Sequence, residues 1–239
     1  MDLSKLIQHV EELIYQVVVL LVSIPKTLWR VVSDVDWVRS YVGAELSKPE
    51  SERFDEYTPP ILLWVTVGII PHVFVLDLLS KVSGSRVATE QEWRVFSGAT
   101  WEQRFVVVAT VALALPLAFS LRLLRGSGLT ASRSRLRRPF FTQCYILSPT
   151  FILVLPAIAT LLRFDDEAPP GWGTVAAISW TLAGLWVLYA EPKLFSAELK
   201  TSWLTGLRRT IGTLLLAFGI FFGLEILVIS AFQGLAVWR

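Results

Sequence analysis

The sequence predicts an all-α integral membrane protein, a five-span transmembrane helix bundle with an N-terminal amphipathic helical arm. Three observations carry this. The 239 residues are 54% apolar and only 18% charged, with a mean hydropathy of +0.56, whereas soluble domains run at about 45–50% apolar and about 25% charged. Five stretches reach the roughly 20 mostly apolar residues that a bilayer core of about 30 Å demands. The basic residues divide unevenly between the two sides that five crossings would create, 16 against 6. The same composition excludes disorder, and a net charge of +2 gives no global field for nucleic acid. A single Cys excludes an internal disulfide and a Cys-based zinc site, and His9 and His72 leave little for a metal centre.

The arm and its linker occupy residues 1–59. Leu3, Leu6, Val10, Leu13, Val17, Leu20 and Ile24 follow one another at intervals of 3 and 4, an a/d seam over three heptads. Ile7, Ile14 and Leu21 widen it, while Lys5, Gln8, Glu11 and Glu12 take the polar side. The spacing predicts a helix over 2–24, a break at Pro25, and a second helix to Val42 along Leu28, Val31, Val32, Val35 and Val38. The apolar run 17–24 is too short to span. Glu11 and Glu12 before it, with no small-residue cleavage site after it, argue against a signal peptide. Three placements fit the first helix: in the membrane interface, against a copy of itself or a partner helix, or on the bundle's own cytoplasmic face. Lys5 as the sole cation before Pro25 weighs against the interface. Residues 45–57 read as a solvated acidic linker.

The bundle occupies residues 60–239, with spans over 60–79, 105–124, 140–162, 171–190 and 211–237. Pro71, Pro116, Pro149 and Pro156 lie inside them and are expected to kink them. The excess of Lys and Arg places the N-terminus in the cytoplasm, of the bacterial inner membrane if the host is a bacterium. His72, Asp77 and Glu225 are the polar groups within the spans. Glu225, near the middle of the fifth, costs roughly 3 kcal/mol or more if charged and facing lipid. His72 falls at similar depth, so the two are expected to face each other, as a structural clasp or as a relay. Gly219 and Gly223 form a small-xxx-small pair that favours tight packing of span five, within the bundle or between subunits. Arg122, Arg125, Arg133, Arg135, Arg137 and Arg138 crowd the second cytoplasmic segment. They serve either as the positive-inside signal or as a site for anionic lipid headgroups.

The start of the first span reads Asp55-Glu56-Tyr57-Thr58-Pro59-Pro60, and the third span contains Cys144-Tyr145-Ile146-Leu147-Ser148-Pro149. These resemble the two signatures of the Yip domain (Ypt/Rab-interacting protein-like) membrane family, Asp-Leu-Tyr-Gly-Pro and Gly-Tyr-x-x-x-Pro. Asp55, Tyr57 and Pro59 match the first; Tyr145 and Pro149 match the second. Glu56, Thr58 and Cys144 depart from them. The resemblance covers residues 55–235 and is closer to prokaryotic, permease-like members, so the Rab binding of eukaryotic members is not carried over. Without the family, Tyr57 and Tyr145 read as rings at a membrane boundary or helix contact. Pro59 and Pro60 read as helix starters, and Pro149 as a kink that frees a carbonyl near Tyr145.

No Gly-rich phosphate loop, dinucleotide fingerprint, His-Glu-x-x-His or Gly-x-Ser-x-Gly occurs in the sequence. The expectation is no enzyme and no cofactor. The leading function is a membrane scaffold or accessory subunit that recruits or stabilises another membrane protein, or assembles as a homo-oligomer, through the Leu3 to Ile24 seam and span five. The alternative is a small-solute or ion permease using Glu225 and His72. A third reading is lipid organisation through the Arg-rich segment.

Overall fold

The computed structural model describes residues 3–75, 101–161 and 171–236. Within these helices the side chains of residues 3–7, 10, 13, 17, 101–104, 106, 107, 111, 158–161 and 220–236 lie outside the description. Among the described residues every regular element is helical. We name them α1 (Leu3–Ser33), α2 (Val35–Ser47), α3 (Pro60–Val75), α4 (Trp101–Gly126), α5 (Arg133–Leu161), α6 (Trp172–Leu199) and α7 (Trp203–Ala236). A short 3₁₀ turn at Glu50–Glu52 lies between α2 and α3. Among the described residues four segments are long and apolar enough to cross a membrane: Ile14–Ser33, Val108–Gly126, Arg133–Ala157 and Trp172–Leu199. Pro60–Val75 is a shorter apolar helix. Of the expected spans, 60–79 falls on α3 and 211–237 on α7, and neither is among these four.

The expected break at Pro25 is displaced. Helix α1 runs through Pro25 and ends at Ser33. Proline removes one intrahelical donor, and hydroxyls bond back to nearby carbonyls. Ser23 Oγ donates to the Leu20 carbonyl (3.2 Å) and Thr27 Oγ1 to the Ser23 carbonyl (2.6 Å). The chain turns instead at Asp34, whose extended backbone (φ −151°) lets its carboxylate accept from the Trp37 amide at 3.2 Å. That is an N-cap, satisfying a donor the new helix leaves open. The stretch read as too short therefore belongs to the membrane-length Ile14–Ser33 segment.

Helix α3 carries a π-helical turn at Val65–Ile69, where the Ile70 amide bonds to the Val65 carbonyl. Pro71 follows at once, lacking a donor and crowding the turn before it. The widened turn lets the helix continue. Pro116, Pro149 and Pro156 likewise lie inside unbroken helices. Around Pro149 the carbonyls are served by side chains: Ser148 Oγ donates to Cys144, and Trp186 Nε1 to Ile146 at 2.8 Å.

Helix α5 is the hub, packing on α1, α2, α3, α4 and α6, while α7 packs on α6 and α4. Cys144, Tyr145, Ile146 and Leu147 are all fully buried in it, a run only a helix surrounded on every side buries. Helix α6 is apolar all round, and Ile178, Leu182 and Leu185 point outward. It continues past the expected end at 190 to Leu199, so the segment read as a loop over 191–210 is largely helical. The close approach expected at Gly219 occurs elsewhere. A Cβ on Gly219 would meet nothing within 4 Å, whereas one on Gly206 would stand 2.5 Å from the Pro192 carbonyl oxygen. Gly223 lies among the residues whose side-chain surroundings are not described.

Helix α2 crosses one end of the bundle, packed on α5 and α6. Val35, Val38, Tyr41, Val42 and Glu45 form its buried face, and each fully buried Val contributes roughly 1.5–3 kcal/mol. Asp34→Ala removes the cap that starts this face. The expected result is a loss of about 1 kcal/mol, read as a lower Tm, with the helical circular dichroism signal retained.

Candidate functional site: a polar and aromatic clasp at one end of the bundle

The two sequence signatures, at the start of α3 and inside α5, meet. Tyr145 Oη donates to the Thr58 carbonyl at 2.7 Å. Thr58 N donates to Thr27 Oγ1 at 3.0 Å, and Thr58 Oγ1 lies 2.8 Å from Ser23 Oγ. Thr27, Thr58 and Tyr145 are buried, so these bonds are made where water does not compete. One residue, Thr58, thus ties α1, α3 and α5 together.

Aromatic rings close over this joint. Trp37 stacks on Tyr41 (centroids 4.6 Å apart, 17° between planes) and meets Tyr57 edge-on at 4.7 Å. Tyr41 meets Tyr57 at 5.2 Å and Tyr145 at 6.2 Å. Such edge and offset geometries are the favourable ones for aromatic pairs. Lys26 Nζ sits 4.5 Å from the centre of the Tyr57 ring, a cation–π contact joining α1 to the linker. Pro59 precedes α3 and Pro60 opens it. Asp55 is exposed.

Glu45 anchors the linker. Its carboxylate accepts from the Phe54 amide at 2.5 Å and from Lys48 Nζ at 2.6 Å, with the side chain only 4% exposed. Phe54 takes a left-handed backbone (φ 62°) to present that amide, a conformation costly for a side chain of its size. Burial alone raises the Glu45 pKa; Lys48 and the Phe54 amide outweigh it, so the carboxyl sits below the usual glutamate range. The segment read as a solvated linker thus begins with a buried charge. Burial, with Glu45 nearby, pushes the Tyr41 phenol upward and keeps it neutral.

The arginine-rich segment divides. Arg137 pairs with Glu50 at 3.4 Å and Arg138 with Glu198 at 3.3 Å. Lys193 pairs with Asp36 at 3.0 Å, fixing α6 to α2. Arg125, Arg133 and Arg135 are exposed, and Arg135 donates to Thr130 Oγ1. Arg122 turns toward α7.

Of the intramembrane polar residues, His72 is buried, its ring edge-on to Phe151 at 5.3 Å. The side chain of Glu225 and all of Asp77 lie outside the described residues, so the expected His72–Glu225 pairing is not among the described contacts. A buried pair that sequence reasoning missed is Gln143 with Glu191: Gln143 Nε2 donates to Glu191 Oε2 at 3.1 Å, with both residues 0% exposed. Glu191 escaped notice because the fourth span was ended at its first charge, although the helix continues through it. Of the seam, Leu20 and Ile24 are half-buried, with Ile24 packed on the core. The side chains of Leu3, Leu6, Val10, Leu13 and Val17 are not described.

These features define a class, that of helical proteins built around apolar helices of membrane length. No family model, no curated protein and no solved structure matches the chain.

Tyr145→Phe removes the donor to Thr58 and leaves a buried carbonyl unsatisfied. The expected loss is about 1 kcal/mol, read as a drop in Tm, while Tyr189→Phe at a half-exposed ring leaves Tm unchanged. A pH series tests Glu45. Its folded pKa lies below the unfolded one, so its contribution is full above the ordinary glutamate range and disappears as pH falls through the depressed value. The Tm gap between wild type and Glu45→Gln is expected to be widest near neutral pH and to close on acidification.

Proposed function

We propose that this protein is an integral membrane scaffold or accessory subunit that recruits or stabilises a partner membrane protein, with α1 as the recruiting element. The observation that carries the reading is the state of α1. Its base is held by Thr27, Thr58 and Tyr145, yet Ile14, Tyr15, Val18, Val19, Leu21 and Val22 are 45% to 68% exposed. An apolar surface of this extent, on a helix whose direction is fixed, serves a partner helix or lipid. A cleft of about 460 Å³ between Tyr15, Val19, Phe54 and Leu62 lies beside that surface, with room for a further side chain or acyl chain.

In this reading α3 to α7 supply five crossings with the α2 end of the bundle at the cytoplasmic side, and α1, which carries the membrane-length segment Ile14–Ser33, presents its apolar surface to the partner. Support comes from the basic residues gathered at the α2 end, Arg137, Arg138 and Lys193 among them. The Yip-like assignment draws support from the direct bond between its two signature segments, Tyr145 to Thr58.

A permease is the second reading, favoured by the buried His72 and by the Gln143–Glu191 pair, in which Glu191 Oε1 and Gln143 Oε1 lack partners. Intramembrane ionisable groups of this kind mark pathways as well as clasps.

Purification in mild detergent separates the two. A stoichiometric membrane partner that is lost on Val18→Asp or Leu21→Asp, at unchanged Tm, is the expected result. A chain that travels alone from native membranes, and whose proteoliposomes pass solutes in a manner abolished by His72→Phe, replaces the scaffold with the permease.

A further inference from the structure

Arg122 on α4 and Arg208 and Arg209 on α7 converge on one open cleft of about 560 Å³. The two helices place their arginines reciprocally. Arg122 Nη2 lies 3.8 Å from where a Cβ on Gly212 of α7 would stand, and Arg209 Nη1 lies 2.5 Å from where one on Gly126 of α4 would stand. Each guanidinium thus rests on the opposite helix at a residue with no side chain to exclude it.

The charge in this cleft is unbalanced. Arg30, Arg39, Arg53, Arg137 and Arg138 all pair with carboxylates. Among the described residues Arg122, Arg208 and Arg209 form no ion pair, and Arg209 Nη1 is buried without a hydrogen-bond partner. Three arginines lining one open cleft, with no ion pair among the described residues to balance them, form an arrangement that an anion completes.

We propose that this cleft binds a phosphate group, carried by an anionic phospholipid. The planar guanidinium fork matches phosphate oxygens two at a time. The carrier follows from the rest of the lining. Ile211 and Leu215 continue along α7 from Arg208 at helical spacing and are 44% and 68% exposed. A headgroup held by the arginines would lay its acyl chain along them. Trp203, 49% exposed at the start of α7, sits where an interfacial ring belongs. The inference does not rest on the scaffold reading.

The test uses the full chain in neutral maltoside, titrated with dioleoyl phosphatidylglycerol and followed by native mass spectrometry. One tightly retained lipid is expected, with affinity reduced about fivefold by Arg122→Gln or Arg209→Gln. Dioleoyl phosphatidylcholine is expected to be retained weakly. Arg133→Gln with Arg135→Gln, which removes two exposed arginines elsewhere, is expected to leave retention unchanged. Equal retention by wild type and the cleft variants, or equal loss in the control, overturns the site. Displacement of the lipid by inorganic phosphate at the same concentration keeps the phosphate chemistry and overturns the lipid as its carrier.

Discussion

The backbone at Thr58 is the point on which the structure turns. Its carbonyl accepts from Tyr145, its amide donates to Thr27, and its hydroxyl meets Ser23. Remove this arrangement and the linker before α3 holds three unsatisfied polar groups at the edge of an apolar bundle. In lipid, apolar contact scarcely distinguishes a neighbouring helix from an acyl chain, so polar bonds and close packing fix which helices meet. The clasp is therefore the contact that gives α1 one position rather than many.

Around it, the charged residues are arranged by what surrounds them. Glu45 is buried and paired with one ammonium and one amide. The pairs joining Arg137, Arg138 and Lys193 to their carboxylates are exposed and individually worth little, about 0–1 kcal/mol. They hold register between α2, α5 and α6, while the energetic weight lies with the buried Val face of α2 and the rings of Trp37, Tyr41 and Tyr57. Pairing also separates the arginines, with Arg125, Arg133 and Arg135 exposed and in no ion pair among the described residues. Those beside carboxylates close the end of the bundle, and those of the α4–α7 cleft are left with charge to spare.

The helical class was legible because its signal is long: about twenty apolar residues in a row leave few alternatives. The two signature segments stand out in the sequence, but their joint does not: the partner of Tyr145 is the Thr58 backbone carbonyl, which no side-chain pattern reveals. Helix α1 outruns the expected break at Pro25, where the Ser23 and Thr27 hydroxyls bond to nearby carbonyls, and ends where Asp34 caps α2. Glu191 directly follows the apolar run 171–190, so an apolar count stops short of it. Its partner, Gln143, lies 48 residues away, a distance over which sequence alone carries no contact information. At Gly219 the described bundle makes no close approach. Small residues permit close approach without demanding it, and the approach between α6 and α7 fell at Gly206.

Among its described side chains, α1 is fastened at its base by Ser23 and Thr27, and the exposed ones before it are largely apolar. Were α1 an ordinary member of the bundle, its apolar side chains would be shared with α5 along their length. Contact with the core is instead concentrated in the part from Ile24 to Val31. The preceding turns, from Ile14 to Val22, present apolar surface to whatever surrounds the molecule. Lipid alone would accept that surface without the hydrogen bonds that Ser23 and Thr27 make to Thr58 at its base. A fixed base offers the surface at one angle, which is what the proposed recruitment of a partner helix would use.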